Sequence, residues 1–369
     1  MQTQKLGVIS MGIKTPIIRE GDNIVKIVTD SVLDATFNYD ERTKKYWYDI
    51  SDKDVIGVTE SVVARSIGNY VSLDEIAAEL ENRFGPGKTY LLDSPIYSRN
   101  RFSMILKGIA RTASIVAMYM PPFDEVGNPS GVNQFTGVDI LEYYKEIVQL
   151  EGTQFAAFNY AFSEDKEEHP GNPIVIYCGL HDYREWKLAH PGENYITLAD
   201  ICSDKCEFGL LGSNKATEEK IKLFPDKVNG QRIVEEIKKN IYEKTGKHVE
   251  VMIYGDGCFK DPVGGIWEFA DPEASPAFTS GLIGRPNEIK IKAFADDKFG
   301  MLSGRELEDA IKKEICNKDN NLIGNMSSQG TTPRRYTDLL ASLMDLTSGS
   351  GDRGTPVILV KNYFTNYAG

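Results

Sequence analysis

Val249-Glu250-Val251-Met252-Ile253-Tyr254-Gly255-Asp256-Gly257-Cys258-Phe259-Lys260-Asp261-Pro262 is the stretch whose reading decides the fold. Its first six residues read as a buried strand, and the glycines flanking Asp256 mark a tight turn. Upstream, Gln231 to Lys244 has the spacing of an amphipathic helix, which Gly246 stops. A helix, a stop, a buried strand and a turn bearing one carboxylate point to an open α/β sheet. In such sheets the carboxyl end of a strand is where phosphate-facing and metal-binding groups sit. Asp256 is then either a metal ligand or a turn former, since Asp and Gly are also ordinary turn residues.

The same alternation extends outward in both directions. Asp54-Val55-Ile56-Gly57-Val58-Thr59 reads as a buried strand running into Glu60-Ser61-Val62-Val63-Ala64-Arg65, where hydroxyls meet a helix start. That junction is either an anion site or a plain N-cap. Ser72 to Phe84 is an amphipathic helix with Ile76, Leu80 and Phe84 at i, i+4 spacing. Near the N-terminus, Lys5 to Ser10 and Asn23 to Val28 are short apolar runs around the loop Gly12-Ile13-Lys14-Thr15-Pro16. Towards the C-terminus, Tyr336 to Leu346 reads as a helix, Thr347 to Gly354 as a glycine-rich loop and Pro356 to Val360 as a strand.

From about Met118 to Ala199 the texture changes, with Pro121-Pro122, Gly127-Asn128-Pro129-Ser130-Gly131, the run Glu164 to Glu168 and many aromatics. Aromatic and aliphatic content of this kind builds a core, so the segment reads as an inserted subdomain with long loops. With 369 residues, the chain is long enough for two compact units or one core with a large insertion. The expected fold is α/β (mixed α+β), with residues 1–94 and 196–369 as the core and 95–195 as an inserted or expanded subdomain.

Composition narrows the function. Hydrophobic residues make up 41% and charged residues 26%, as in ordinary globular proteins, and no run approaches the roughly 18 to 20 apolar residues that span a bilayer. A net charge of −12 argues against nonspecific nucleic-acid binding through a basic surface. The first residues lack the apolar core of a secretory signal, and five scattered cysteines suit reduced thiols, so a cytoplasmic protein is expected. Cys202 and Cys206 have no matching Cys or His pair, which disfavours zinc.

Four segments share one logic: 12–17, 59–65, 256–261 and 347–354 each border a regular element and offer small, hydroxyl or charged residues. Backbone N–H groups of a Gly-Ser-Gly turn such as Gly349-Ser350-Gly351 can cradle oxygens, although a flexible connection has the same composition. No Walker-type run, no Gly-x-Gly-x-x-Gly between strand and helix, and no Gly-x-Ser-x-Gly elbow occurs. His181-Asp182 is an acid–base neighbour pair in sequence only. Ser94-Pro95-Ile96-Tyr97-Ser98-Arg99-Asn100-Arg101-Phe102 is the densest polar cluster. Arg99 and Arg101 are its candidate catalytic residues, because guanidinium forks suit carboxylate or phosphate substrates; structural salt bridges are the plainer reading.

Taken in order, these segments resemble the coenzyme F(420) γ-glutamyl ligase family, which joins L-glutamate to a deazaflavin precursor. Gly12 to Asp22 looks like the family's N-terminal nucleotide loop with its Glu-Gly-Asp. Val58 to Gly68 is similar to its strand–helix motif, with Arg65 close to where the family has lysine. Gln231 to Pro262 resembles its helix, strand and Asp-bearing turn, and Asp338-Leu339-Leu340-Ala341-Ser342 through Pro356-Val357 its closing helix, glycine loop and strand.

The resemblance implies a mechanism: GTP (or ATP) phosphorylates a carboxylate, and an amino acid's amine attacks the acyl phosphate, with Mg²⁺ or Mn²⁺ neutralising the phosphates. It implies nucleotide contacts at Lys14, Thr15, Pro16, Ile17, Glu60, Ser61, Arg65, Asn214, Gly349, Ser350 and Gly351, and a metal at Asp256. Small-molecule partners (a carboxylate acceptor and an amino acid) and a homodimer follow from it as well.

Besides Arg65, the chain departs from the family pattern at three further positions and in the extra region from about Pro95 to Tyr195. Gly209-Leu210-Leu211-Gly212-Ser213-Asn214 keeps the asparagine but has Leu211 for the metal-binding aspartate, Gly257 replaces a threonine, and Ser350 replaces a glutamine. Asp261 is the replacement ligand expected, with Glu268 or Asp124-Glu125 as alternatives. A divergent homologue that binds a ligand or nucleotide without ligating it is the second reading.

Overall fold

In the computed structural model, residues 6–99, 101–125, 127–133, 136–159, 172–180, 182–255, 275–322, 325, 328, 335–349 and 351–369 are described. The chain opens with β1 (Ile9–Ile13), α1 (Ile24–Thr36), β2 (Phe37–Asp40), β3 (Lys45–Tyr48), β4 (Val55–Thr59), α2 (Glu60–Ile67), β5 (Tyr70–Ser72) and α3 (Leu73–Phe84). Next come β6 (Lys88–Asp93), α4 (Phe102–Ala110), β7 (Ala113–Met120), α5 (Ile140–Leu150), β8 (Gln154–Asn159), β9 (Ile174–Tyr177), α6 (Tyr183–Ala189) and β10 (Tyr195–Thr197). The last part has β11 (Ser213–Lys215), β12 (Lys220–Leu223), α7 (Lys227–Thr245), β13 (Glu250–Tyr254), β14 (Ala277–Phe278), α8 (Ile291–Ala293), α9 (Gly304–Asn317), α10 (Tyr336–Thr347) and β15 (Val357–Lys361).

The first sheet has the order β1-β15-β4-β13-β14, with β4 and β13 parallel at its centre. Both central strands are buried on two faces, which explains their unbroken apolar runs. Ile56, Val58, Val251 and Ile253 point to the layer of α1 and α7, whereas Val55, Met252 and Tyr254 point to α10. α7 ends on Gly246, whose φ of 67° is the left-handed stop that its position after a helix demands. α3 starts on a capping box formed by Ser72 and Glu75. The apolar run at 23–28 lies inside the first half of α1, because Val25, Val28, Val32 and Leu33 recur at helical spacing and are buried.

The second sheet is parallel throughout, in the order β10-β9-β6-β7-β8. Numbered within itself, that order is 5-4-1-2-3, a doubly wound arrangement with its switch point between β6 and β9. α4 and α5 pack together on one face, where Phe102, Ile105, Leu106, Tyr144 and Val148 meet Leu92, Val116 and Ile176. Tyr177 turns to the other face, where Trp186 of α6 stacks on it at 4.8 Å. The sequence reading put long loops here and began the segment at residue 95; the sheet starts at Lys88 and ends at Thr197.

Between the two sheets in sequence lies the three-stranded sheet β11-β12-β5. Arg111, following α4, holds it to the parallel sheet by ion pairs to Asp74 at 2.7 Å, Glu219 at 2.6 Å and Glu151 at 3.1 Å.

Candidate functional site

Strand direction brings the loops together. β15 is antiparallel to both β1 and β4, and β13 is parallel to β4, with Ile13 opposite Val357, Val357 opposite Val58 and Tyr254 opposite Thr59. The carboxyl ends of β1, β4 and β13 and the amino end of β15 therefore share one edge of the first sheet. Residues 14–17, the start of α2 and the 349–355 loop all emerge there.

Short contacts tie these loops to one another. Thr15 N–H donates to the Gly354 carbonyl at 3.4 Å, and Thr59 N–H donates to the Pro356 carbonyl at 3.0 Å. Gly349 N–H donates to Thr355 Oγ1 at 2.8 Å. Gly349 has to lack a side chain, since a Cβ there would lie 2.2 Å from that of Arg353. Ile17 is 82% exposed at the mouth of this edge, and Lys14 and Pro16 are exposed beside it.

α2 begins with Glu60 and Ser61 in its first turn, and Thr59 makes no side-chain cap. Its leading N–H groups thus point to the shared edge without a cap from Thr59, as an anion-binding helix start requires. Lys222 of β12 reaches into the same place. Its Nζ donates to Ser61 Oγ at 2.6 Å and pairs with Glu60 Oε1 at 3.3 Å, both side chains of the pair being about nine-tenths buried. Asn214 of β11 stands directly across from Lys222 in the ladder. Arg65 lies one turn after Ser61, exposed, among the charges around Tyr70 that also include Glu20.

Lys222 is the residue that sequence reasoning missed. Lys220-Ile221-Lys222-Leu223 alternates, and Ile221 and Leu223 enter the core. The strand reads as an ordinary half-solvated one until its pairing with β5 and β11 makes it the centre of a sheet.

Leu211 is fully buried in a 3-10 turn at Gly209–Gly212 and packs into the core of the parallel sheet. Where the resemblance sets a metal-binding carboxylate, this chain has a packing residue. Asp256, Asp261, Gly257, Glu268 and Ser350 lie outside the described residues, as do Asn100 and His181. Among the described residues no group of three or more His, Cys, Asp and Glu could hold a metal ion. Asp124 and Glu125 hold loops together: Asp124 accepts from the Tyr97 N–H at 2.9 Å and Glu125 from the Leu180 N–H at 2.9 Å. Cys178, Cys202 and Cys206 are buried without disulfides, and burial pushes their thiols up, that of Cys206 to about 11.

Clefts lie beside α7 and beside α4. One, of about 430 Å³, is lined by Phe208, Lys227, Gln231, Ser275, Phe278 and Arg335, between the start of α7 and β14. The other, of about 170 Å³, brings Ser103 and Lys107 of α4 and Tyr143 of α5 against Lys215, the neighbour of Asn214. Arg99 lies over the Tyr143 ring at 5.7 Å, and the Arg101 N–H donates to Ser98 Oγ at 3.0 Å at the start of α4. The structure thus gathers Lys14, Thr15, Pro16, Ile17, Glu60, Ser61, Gly349 and Gly351 at one edge. It sets Asn214 next to them through Lys222, and Arg99 and Arg101 before and at the start of α4.

With that geometry in place, the F420-0:gamma-glutamyl ligase family matches residues 12–362, across both large sheets. The chain belongs to this family. It is a ligase, and the family's activity is γ-glutamyl ligation. No curated protein matches the chain. In this F420-0:gamma-glutamyl ligase family member no helix among the described residues is long and apolar enough to cross a membrane.

Proposed function

We propose that the shared edge of β1, β4, β13 and β15 binds a nucleoside triphosphate and that this ligase forms an amide through an acyl phosphate. One observation carries the reading: the loop at 14–17, the α2 start and the 349–355 loop, far apart in sequence, converge beside a buried lysine. An uncapped helix start with a fixed ammonium is chemically suited to phosphate oxygens.

In this reading the α2 N–H groups and Lys14 hold the phosphates, and the 349–355 backbone closes over them. An acceptor carboxylate oxygen attacks the terminal phosphorus, and the nucleoside diphosphate leaves. The amine of glutamate, or of another amino acid, then attacks the acyl carbon, loses a proton and expels phosphate. Mg²⁺ or Mn²⁺, carried by Asp256 and Asp261, would supply neutralisation of phosphate charge. Arg99 and Arg101 would orient the acceptor from the second sheet, whose 95–195 region we assign to acceptor selection. GTP is the expected nucleotide, with ATP as the competitor, and a cytoplasmic homodimer is the expected form.

Isothermal titration with GTP and with ATP, each with and without Mg²⁺, tests the proposal. Metal-dependent binding of at least one is expected, and binding of neither would overturn it. Phosphate release that depends on glutamate and a carboxylate acceptor separates ligation from binding alone, which the apolar Leu211 would favour.

A further inference from the structure

We propose that Lys222 is a phosphate-contacting residue of this ligase, parked in the structure on Ser61 and Glu60 until an anion arrives; this rests on the nucleotide reading above. The dipole at the α2 start favours anions and opposes cations, so the Lys222 ammonium is held there by its side-chain partners and not by the helix. Yet the Lys222 ammonium sits against the first turn of α2, reaching Ser61 Oγ at 2.6 Å and Glu60 Oε1 at 3.3 Å. Both the ammonium and the helix start are positive, and Glu60 is the carboxylate paired with Lys222 there. A further anion at this point gains from both.

The strand supplies the aim. β12 is held on both sides, by β5 and β11, so the Lys222 backbone cannot drift. Ile221 and Leu223 are locked in the core on the opposite face, leaving Lys222 facing α2. On binding, the ammonium exchanges Ser61 and Glu60 for a phosphate oxygen without the strand moving. Glu60 in this arrangement is a competitor for Lys222 and lowers anion affinity in the resting protein.

The inference makes the two partners of one ion pair act in opposite directions. Lys222→Met is expected to weaken GTP binding by about tenfold or more, the scale of one lost charge-assisted contact. Glu60→Gln, which frees the ammonium from its competing carboxylate, is expected to strengthen it, and Lys222→Arg to retain part of the affinity that Lys222→Met loses. Since Lys222→Met leaves Glu60 buried without its cation, Lys222→Met/Glu60→Gln serves as the folded control and should bind as weakly as Lys222→Met. A merely structural pair would weaken binding in both single variants and recover it in the double.

Titrations use the full chain with GTP and Mg²⁺, and with tripolyphosphate as a nucleotide-free probe, alongside thermal unfolding of each variant. Equal GTP affinity in the wild type and the folded double variant overturns the role of Lys222 while the nucleotide reading stands. Tripolyphosphate binding that needs Lys222, without GTP binding, overturns the nucleotide reading and keeps Lys222 as an anion contact. Wild-type protein that binds neither overturns both.

Discussion

Met344 of α10 occupies the space in front of Gly57, where a Cβ would lie 2.1 Å from the methionine sulfur and 3.0 Å from the Tyr254 ring. This approach seats α10 directly on the middle of β4, and both residues are buried beneath the shared edge. Gly57→Ala is expected to destabilise the protein by about 1–3 kcal/mol through overpacking. Met344→Ala removes the obstacle, so the double variant should be more stable than the sum of the singles by about 0.5–3 kcal/mol. Urea unfolding of the three variants checks this, and simple additivity would disprove the contact's importance.

Gly349 leaves no room for a side chain in the loop proposed to close over the nucleotide. Its Cβ position is filled by Arg353, and its N–H is held by Thr355. Gly349→Val is expected to force the 349–355 loop outward and weaken nucleotide binding by about tenfold, one displaced set of backbone donors being enough for such a loss. Calorimetric titration reads the affinity, while an unaltered binding curve would remove this loop from the site.

Leu211 should resist conversion to a metal ligand. It is fully buried and packed in the core of the parallel sheet. Leu211→Asp would place an uncompensated carboxylate among aliphatic side chains, at a cost of about 3–5 kcal/mol. Thermal unfolding should show a large loss of stability, with or without Mg²⁺. A variant that folds normally and gains metal affinity would show the turn to be an open site.

An acid-sensitive anchor lies at Glu75. Lys205 Nζ donates to its carboxylate at 2.7 Å and the Ser72 N–H at 2.6 Å, and these bonds, that of Lys205 first, hold its carboxyl down at about 2 against an ordinary 4.5. A carboxylate depressed by folding contributes stability above pH 4.5 that is lost as the pH falls from there towards 2. The side chain is 53% exposed, so the contribution stays at or below about 1 kcal/mol. Lys205→Met should return Glu75 towards ordinary titration, as followed by NMR of its side chain. An unmoved titration would assign the shift to the helix cap.

Much of the first sheet was legible in the sequence. The readings at 54–59, 72–84, 231–244, 249–254, 336–346 and 356–360 correspond to β4, α3, α7, β13, α10 and β15, because each carries its own period and stop residue. Ser72 and Gly246 are local signals that need no tertiary context. The parallel sheet was harder to see: β6, β7 and β9 are buried on both faces and read as plain apolar runs, and proline- and glycine-rich loops mask their regular order.

The sequence by itself determined the helices, strands and turns and the order of the family-like motifs, since these depend on spacing within a few residues. Only the tertiary structure decided that the loops at 14–17 and 349–355 share an edge with the start of α2. That follows from strand direction and register over more than three hundred residues, which no local pattern encodes. It also decided that Lys222 is inside and that Leu211 packs into the core of the parallel sheet. Burial depends on which element packs against a residue, and both belong to short segments whose partners lie far away in the chain.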